Sequence, residues 1–183
     1  MSKAVMISIR PKWCEKICRG EKTVEIRKTR PKLETPFKCY IYCTRDKHLA
    51  FMQNASGTNL IACMNAETAI PVGGFLGNGK VIGEFTCDRI YGLAPLNHAP
   101  DDVEQQACLT REEIVRYLKG VGYGWHISEL KIYDAPKELS EFKGLCKVES
   151  DCCACPHYNY SRMDCDGRTI KRPPQSWCYV EEM

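Results

Sequence analysis

One short segment, Gly-Glu-Lys-Thr-Val-Glu-Ile-Arg at residues 20–27, contains the side chains most able to do chemistry. Apolar and polar residues alternate here, which predicts a strand whose polar side bears Thr23, Glu25 and Arg27. The Arg27 guanidinium suits a phosphate or a base edge, and Glu25 can accept a hydrogen bond from an exocyclic amine. Lys22 can supply a point charge or, where it is desolvated, a group for proton transfer. The alternative is a solvated edge strand that carries a surface ion pair.

The charge distribution favours a polyanionic partner for this part of the chain. Residues 1–47 contain 13 Lys and Arg against five Asp and Glu, whereas the other 136 residues contain 13 against 18. The net charge of the whole chain is only +3, so the basic excess is local. Such asymmetry is typical of proteins that bind a polyanion, although a solvated basic face is the plainer explanation.

A second cluster with chemical potential is rich in cysteine and lies between residues 146 and 168. Its Cys-x-x-Cys spacing lets two thiolates hold one ion, which predicts a structural zinc site with the ligands Cys146, Cys152, Cys155 and Cys165. Cys153 and His157 are alternative ligands, and an iron–sulfur cluster would also suit four thiolates. Free thiols in a loop are the remaining possibility.

The other eight cysteines are scattered over predicted elements and are interpreted mostly as small core residues. Cys14 and Cys18, four residues apart on a predicted helix, could alternatively bind a metal with Cys39 or Cys43. The total of 13 cysteines is odd, which argues against a fully paired disulfide framework. The apolar run before Arg10 is shorter than the apolar core of a signal peptide, so the sequence does not predict export to an oxidising compartment. We therefore expect a cytoplasmic protein without a membrane span.

The elements that must position these residues are short and mixed. Hydrophobic periodicity predicts strands at 5–10, 22–28, 38–44, 80–91, 125–134 and 177–181. Pro11 begins a predicted helix that Gly20 ends. A capping box formed by Thr110 and Glu113 begins a second helix, which runs to about residue 119. The apolar face of this second helix is predicted to contain Ile114, Tyr117 and Leu118. Residues 97–106 are predicted to be loop-like. Residues 45–79 lack a clear hydrophobic period and are predicted to form a long loop or insertion. The pattern indicates an α+β domain with a mixed or barrel-like sheet and two or three helices.

The motif Gly20-x-Lys22-x-x-Glu25-x-Arg27, after a strand and a short helix, resembles the signature of ASCH domains. The resemblance implies a PUA-like, barrel-like sheet with a helix beside a cleft. The resemblance spans roughly residues 4–142 and the last strand. We therefore assign 1–145 and 170–183 to this domain and 146–169 to a zinc-binding insertion, with 45–79 as a long loop or insertion within the domain. The closing segment from Arg172 to Glu181 is also similar to the ends of short phage and prophage proteins.

The resemblance implies that Lys22, Glu25 and Arg27 line a cleft that binds RNA or a nucleotide, and the same polar strand face adds Thr23. Trp125 and His126 begin a predicted strand at the mouth of the cleft, where an aromatic side chain can stack on a base. His126 is the candidate for this contact, whereas Trp125 is more readily explained as a core residue. One alternative is a small hydrolase, either a ribonuclease or an amidohydrolase acting on acylated cytidine, that uses Lys22 with a carboxylate. In that case Glu25 occupies the position of the family's nucleophilic threonine, and Glu84 is a candidate second carboxylate. Another is a phage accessory protein that binds a host protein or a signalling nucleotide.

Overall fold

A five-stranded mixed sheet forms the centre of the protein in the computed structural model, which describes residues 2–55, 57–65, 73–93, 99–145, 158–159, 161, 164–165 and 168–183. The strands lie in the order β10 (Ser128–Lys137), β7 (Val81–Cys87), β3 (Phe37–Cys43), β1 (Lys3–Ile9) and β13 (Trp177–Glu181). β1 and β3 are parallel, and the other neighbours are antiparallel. The first and last strands of the chain are therefore neighbours.

Three small sheets extend this centre. β2 (Val24–Arg27), β9 (Tyr123–His126) and β8 (Ile90–Gly92) form one, in the order β2-β9-β8. β4 (His48–Ala55), β5 (Thr58–Asn65) and β6 (Phe75–Leu76) form another, in the order β5-β4-β6. β11 (Tyr158–Asn159) and β12 (Asp164–Cys165) form a short hairpin.

Three α-helices and one 3-10 turn complete the described part of the chain. α1 (Pro11–Cys18) begins with proline at its first position, and Gly20 follows it at φ +72°. α2 (Val103–Ala107) is short, and α3 (Arg111–Leu118) begins at the predicted capping box. There the Thr110 hydroxyl accepts from the Glu113 N–H, and the Glu113 carboxylate accepts from the Thr110 N–H. The 3-10 turn spans Leu139–Glu141.

Two predicted loops contain regular structure. The stretch 45–79, expected to be a long loop or insertion, holds β4, β5 and β6 among its described residues. The stretch 97–106, expected to be loop-like, holds most of α2. The predicted single strands 80–91 and 125–134 are each divided into two elements, β7 and β8 and then β9 and β10.

The hydrophobic core lies on both faces of the central sheet because β1 and β3 are buried on both sides. Val5, Ile7 and Ile9 face one cluster, which includes Trp125 and the buried side of α1. Ala4 and Met6 face the opposite cluster. No helix in the ranges described is long and apolar enough to cross a membrane.

Candidate anion-binding cleft

A cleft with a volume of about 590 Å³ lies where β1, α1, β2 and α3 approach one another. Such a volume falls within the range of about 300–1,000 Å³ that is usual for small-molecule sites. Its lining includes five basic and two acidic side chains together with two aromatic rings: Arg10, Lys12, Lys22, Arg27, Arg45, Glu25, Glu113, Trp13 and Tyr117. The cleft is therefore positively charged and amphipathic.

At the base of the cleft, Lys22, Glu25 and Arg27 form a buried ion-pair chain. The Lys22 Nζ lies 3.3 Å from one Glu25 carboxylate oxygen, and an Arg27 terminal nitrogen lies 2.9 Å from the other. The exposed fractions are 2% for Lys22, 6% for Glu25 and 8% for Arg27, so the alternative of a solvated surface pair is wrong. Two cations share one anion here, which leaves the cluster with a net positive charge.

The position of Lys22 depends on the chain reversal after α1 and on the end of α2. With Gly20 in the left-handed region, the backbone N–H groups of Glu21 and Lys22 both donate to the Lys16 carbonyl. The Lys22 Nζ donates to the carbonyls of Val24 and Ala107, at 2.9 and 2.8 Å. Together with the Glu25 carboxylate, these acceptors match the three hydrogens of an ammonium group. Lys22 is therefore held as a fixed positive charge.

Arg27 makes as many contacts as Lys22 but keeps hydrogen-bonding capacity. Besides its contact with Glu25, it donates to the Ser8 carbonyl at 2.6 Å and to the Ser176 hydroxyl at 3.3 Å. These three contacts use three of the five N–H donors of a guanidinium. The Nε of Arg27 is buried and has no hydrogen-bond partner among the described residues. Arg27, which lines the cleft, therefore retains N–H donors that no described residue uses.

Two aromatic side chains provide apolar surface in the cleft. Trp13 on α1 is half-buried, and the ammonium groups of Lys12 and Lys22 lie 4.3 and 5.1 Å from the centre of its ring. Tyr117 on α3 is 43% exposed, with the Lys28 ammonium 5.3 Å from its ring centre. Two aromatic rings, each with an ammonium group beside it, therefore line the cleft.

Several residues assigned to the site lie elsewhere. Thr23 is half-buried and is not among the residues that line the cleft. His126 pairs with Val24 in the β2–β9 register and therefore lies on the face of this sheet opposite Glu25, where its Nδ1 contacts Asp88 at 2.6 Å. The neighbouring Trp125 is fully buried in the core. The core position favoured for Trp125 is therefore confirmed, and His126 is not among the residues that line the cleft.

The candidate second carboxylate is also elsewhere. Glu84 accepts a hydrogen bond from the Tyr133 hydroxyl at 2.6 Å and lies 3.8 Å from the Lys38 Nζ. Burial, reinforced by the Glu84 carboxylate, raises the pKa of Tyr133, so the phenol stays neutral. The second acidic residue in the cleft is instead Glu113, whose carboxylate accepts from the Thr110 backbone N–H in the capping box.

Sequence reasoning missed part of the cleft lining, and the signals differ in strength. Tyr117 was assigned to the apolar face of α3, but Ile114 and Leu118 alone are buried there. The basic excess of residues 1–47 includes Arg10 and Lys12, and the predicted start of α1 at Pro11 places both beside the motif, since Arg10 directly precedes α1 and Lys12 lies in its first turn. Gln175 reaches the cleft from the segment before the last strand, which no local pattern indicates.

Most of the cysteines predicted to bind zinc lie outside the residues that the structure describes. Cys146, Cys152 and Cys155, with the alternatives Cys153 and His157, lie outside the described residues, and Cys165 is described only as part of β12. In the described ranges, no group of three potential ligands could hold a metal, so a site built from Cys14, Cys18 and Cys39 or Cys43 is wrong. Four of the other eight cysteines are buried: Cys14, Cys39, Cys43 and Cys87.

Comparison with solved structures shows the fold that this geometry represents. The crystal structure of ASCH from Zymomonas mobilis superposes with a TM-score of 0.56 at 16% identity and covers 98% of this chain and 88% of its own. A variant of the same protein with a tyrosine-to-phenylalanine change matches at a TM-score of 0.57 and 16% identity, over 99% of this chain and 92% of its own. A variant with a serine-to-alanine change matches at a TM-score of 0.56 and 17% identity, over 98% of this chain and 89% of its own. No protein-family model matches the sequence, and no curated protein shows significant similarity to it. The chain has the ASCH fold, as the motif in residues 20–27 predicted.

Proposed function

We propose that this protein binds RNA or a nucleotide-like ligand in the cleft that Lys22, Glu25 and Arg27 form. The observation that carries the proposal is the state of Arg27, a buried guanidinium with unused donors at the base of a positively charged cleft. A guanidinium in this state suits a phosphate or the acceptor edge of a base, since both offer several oxygen or nitrogen acceptors to one planar donor.

The rim of the cleft supports the same ligand class. Arg10, Lys12 and Arg45 are exposed and surround the cleft, so they can contact phosphates without a large desolvation cost. Trp13 and Tyr117 offer ring faces, and stacking of unpaired bases on aromatic side chains is the usual mode of RNA recognition. Positive charge together with aromatic surface distinguishes a nucleotide site from a site for a simple anion.

The state of Lys22 favours binding over hydrolysis. Its three hydrogens already have acceptors, and both oxygens of Glu25 contact a cation. A proton-transfer role for Lys22 would require the loss of at least one of these contacts, and a nucleophilic role for Glu25 the loss of its ion pairs. Binding is therefore the first candidate function and hydrolysis the second, and a binding experiment must also determine whether the ligand is cleaved.

The test is a titration of the protein with a short single-stranded RNA at two salt concentrations, with analysis of the RNA afterwards. Arg10→Ala/Lys12→Ala removes two rim charges and should flatten the salt slope by about 1.4, at about 0.7 for each phosphate contact to a single strand. Lys32→Ala/Lys131→Ala is the matched control, because both lysines are exposed and neither is among the cleft residues. Its slope should equal that of the unchanged protein.

The outcomes separate the candidate functions. Salt-dependent binding with intact RNA supports the proposal, whereas shortened RNA or a deacylated cytidine would show a hydrolase. Equal slopes for the two double variants would place the contacts away from this cleft. Failure to bind any RNA or nucleotide would favour the phage-type accessory role, with a host protein as the partner.

We also propose that the 146–168 segment holds one structural zinc ion, on the basis of its cysteine spacing. Metal analysis of the purified protein should find about one zinc per chain. Cys152→Ser/Cys155→Ser should lose that zinc because two of four thiolates are removed, whereas Cys87→Ser, at a buried core position, should retain it. A protein free of both zinc and iron would contradict the proposal.

A further inference from the structure

A second cavity, with a volume of about 790 Å³, adjoins the cleft. The two cavities share three lining residues: Ser8, Thr44 and Arg45. The second cavity continues from there to the 3-10 turn, where Leu139 and Ser140 line it, and to Ile170 and Lys171. A ligand in the cleft therefore has an adjoining space of similar size within reach.

The segment from Pro173 to Ser176 separates the two cavities and is fixed to β1. Ser8 Oγ donates to the Pro174 carbonyl at 2.6 Å, and the Ser8 N–H donates to the Ser176 carbonyl at 2.9 Å. Pro173 and Pro174 line the second cavity, whereas Gln175 lines the cleft. The division between the cavities thus belongs to the folded core and is in place before a ligand arrives.

Arg45 lies at the junction of the cavities with its charge available. It is exposed and forms no ion pair among the described residues. Its side chain passes close to Gly79, at φ +79°, where an added Cβ would lie only 2.9 Å from the Arg45 Nε. Burial raises the pKa of the Tyr42 phenol beside it, and the Arg45 charge opposes that rise, as expected for a guanidinium close to the ring.

The second cavity has the same sign of charge as the cleft. Lys171 is exposed at its rim and, like Arg45, makes no ion pair in the part of the chain that is described. Among the described residues that line it, Glu138 is the only acidic one, and its carboxylate is 2.8 Å from the Lys80 ammonium. The uncompensated charge along both cavities is therefore positive.

We propose that the second cavity is a second nucleotide subsite and that Arg45 binds the phosphate between the two units. The inference rests on the proposed function and narrows its ligand to a single-stranded oligonucleotide of at least two nucleotides. Each cavity has room for one nucleotide unit, and phosphate contacts from a junction arginine carry no dependence on the base. A duplex does not fit this arrangement because its bases are stacked and paired.

The test compares a mononucleotide, a dinucleotide and a longer single strand of the same base in binding titrations. The unchanged protein should bind the dinucleotide at least about tenfold more tightly than the mononucleotide, a gain of about 1.4 kcal/mol. Ser140→Trp, which fills the second cavity from an exposed position, and Lys171→Ala should remove most of this gain. Neither should change the affinity for the mononucleotide, and Lys131→Ala should change nothing.

Three results would overturn the inference. Equal affinity for one and two nucleotides would leave the cleft as a mononucleotide site and the proposed function intact. A dinucleotide gain that persists in both Ser140→Trp and Lys171→Ala would place the second unit elsewhere. Absence of binding to every nucleotide and RNA tested would overturn the subsite and the proposed function together.

Discussion

Replacing Glu25 with glutamine is expected to lower the free energy of unfolding by about 3–5 kcal/mol. The substitution keeps the shape of the side chain but removes the carboxylate that both Lys22 and Arg27 contact. Two buried positive charges would then remain without the anion that compensates them, and burial of an uncompensated charge is among the costliest changes in a protein core. Urea unfolding at constant pH measures the difference.

A matched substitution on the surface calibrates this experiment. Glu15→Gln also removes one carboxylate from an ion pair, that with Arg19, but the two side chains are 22% and 54% exposed. Pairs exposed to this degree contribute about 0–1 kcal/mol, so the variant should unfold almost as the unchanged protein does. If Glu25→Gln were no less stable than Glu15→Gln, the cluster at the base of the cleft would not be desolvated in solution.

Replacing Trp13 with alanine is expected to weaken binding of single-stranded RNA by about 5- to 150-fold, because stacking of one base contributes about 1–3 kcal/mol. Trp13→Phe keeps a ring face at the same place and should lose less. Binding titrations measure both variants, and their circular dichroism spectra should match that of the unchanged protein.

Tyr117→Ala provides a second measurement on the opposite side of the cleft. This side chain is 43% exposed on α3, so its loss should perturb folding less than the loss of half-buried Trp13. Unchanged affinity in both alanine variants would show that bases do not stack here and that the cleft binds phosphates alone. Loss in Trp13→Ala only would assign the stacked base to the α1 side.

The sequence predicted the centre of the site because its signals are local. A strand period of two places Glu25 and Arg27 on one face, and a glycine two residues before Lys22 ends the preceding helix. The burial of the same residues could not be predicted locally. It depends on α2, which contributes the Ala107 carbonyl, and on Ser8 and Ser176, which come from opposite ends of the chain.

The errors have physical causes that can be stated for particular residues. α2 has five residues, too few to show a helical period, so it was predicted to be loop-like. His126 was placed at the cleft because it lies in a strand near the motif, but only the register with Val24 determines the face. The sequence between β4 and β5 contains a local signal for a hairpin, the dipeptide Ser-Gly at residues 56–57, which is typical of turns.

Because β1 pairs with β13, we expect the site to be completed late in folding. Ser8 and Ser176 are 168 positions apart in the chain, yet both contact Arg27. Contacts of such high sequence separation form slowly, because the loop between them must close first. A chain that has not yet docked its final strand therefore lacks part of the Arg27 environment. We therefore expect the protein to bind its ligand only after the last strand has paired with β1, so that only fully folded molecules bind.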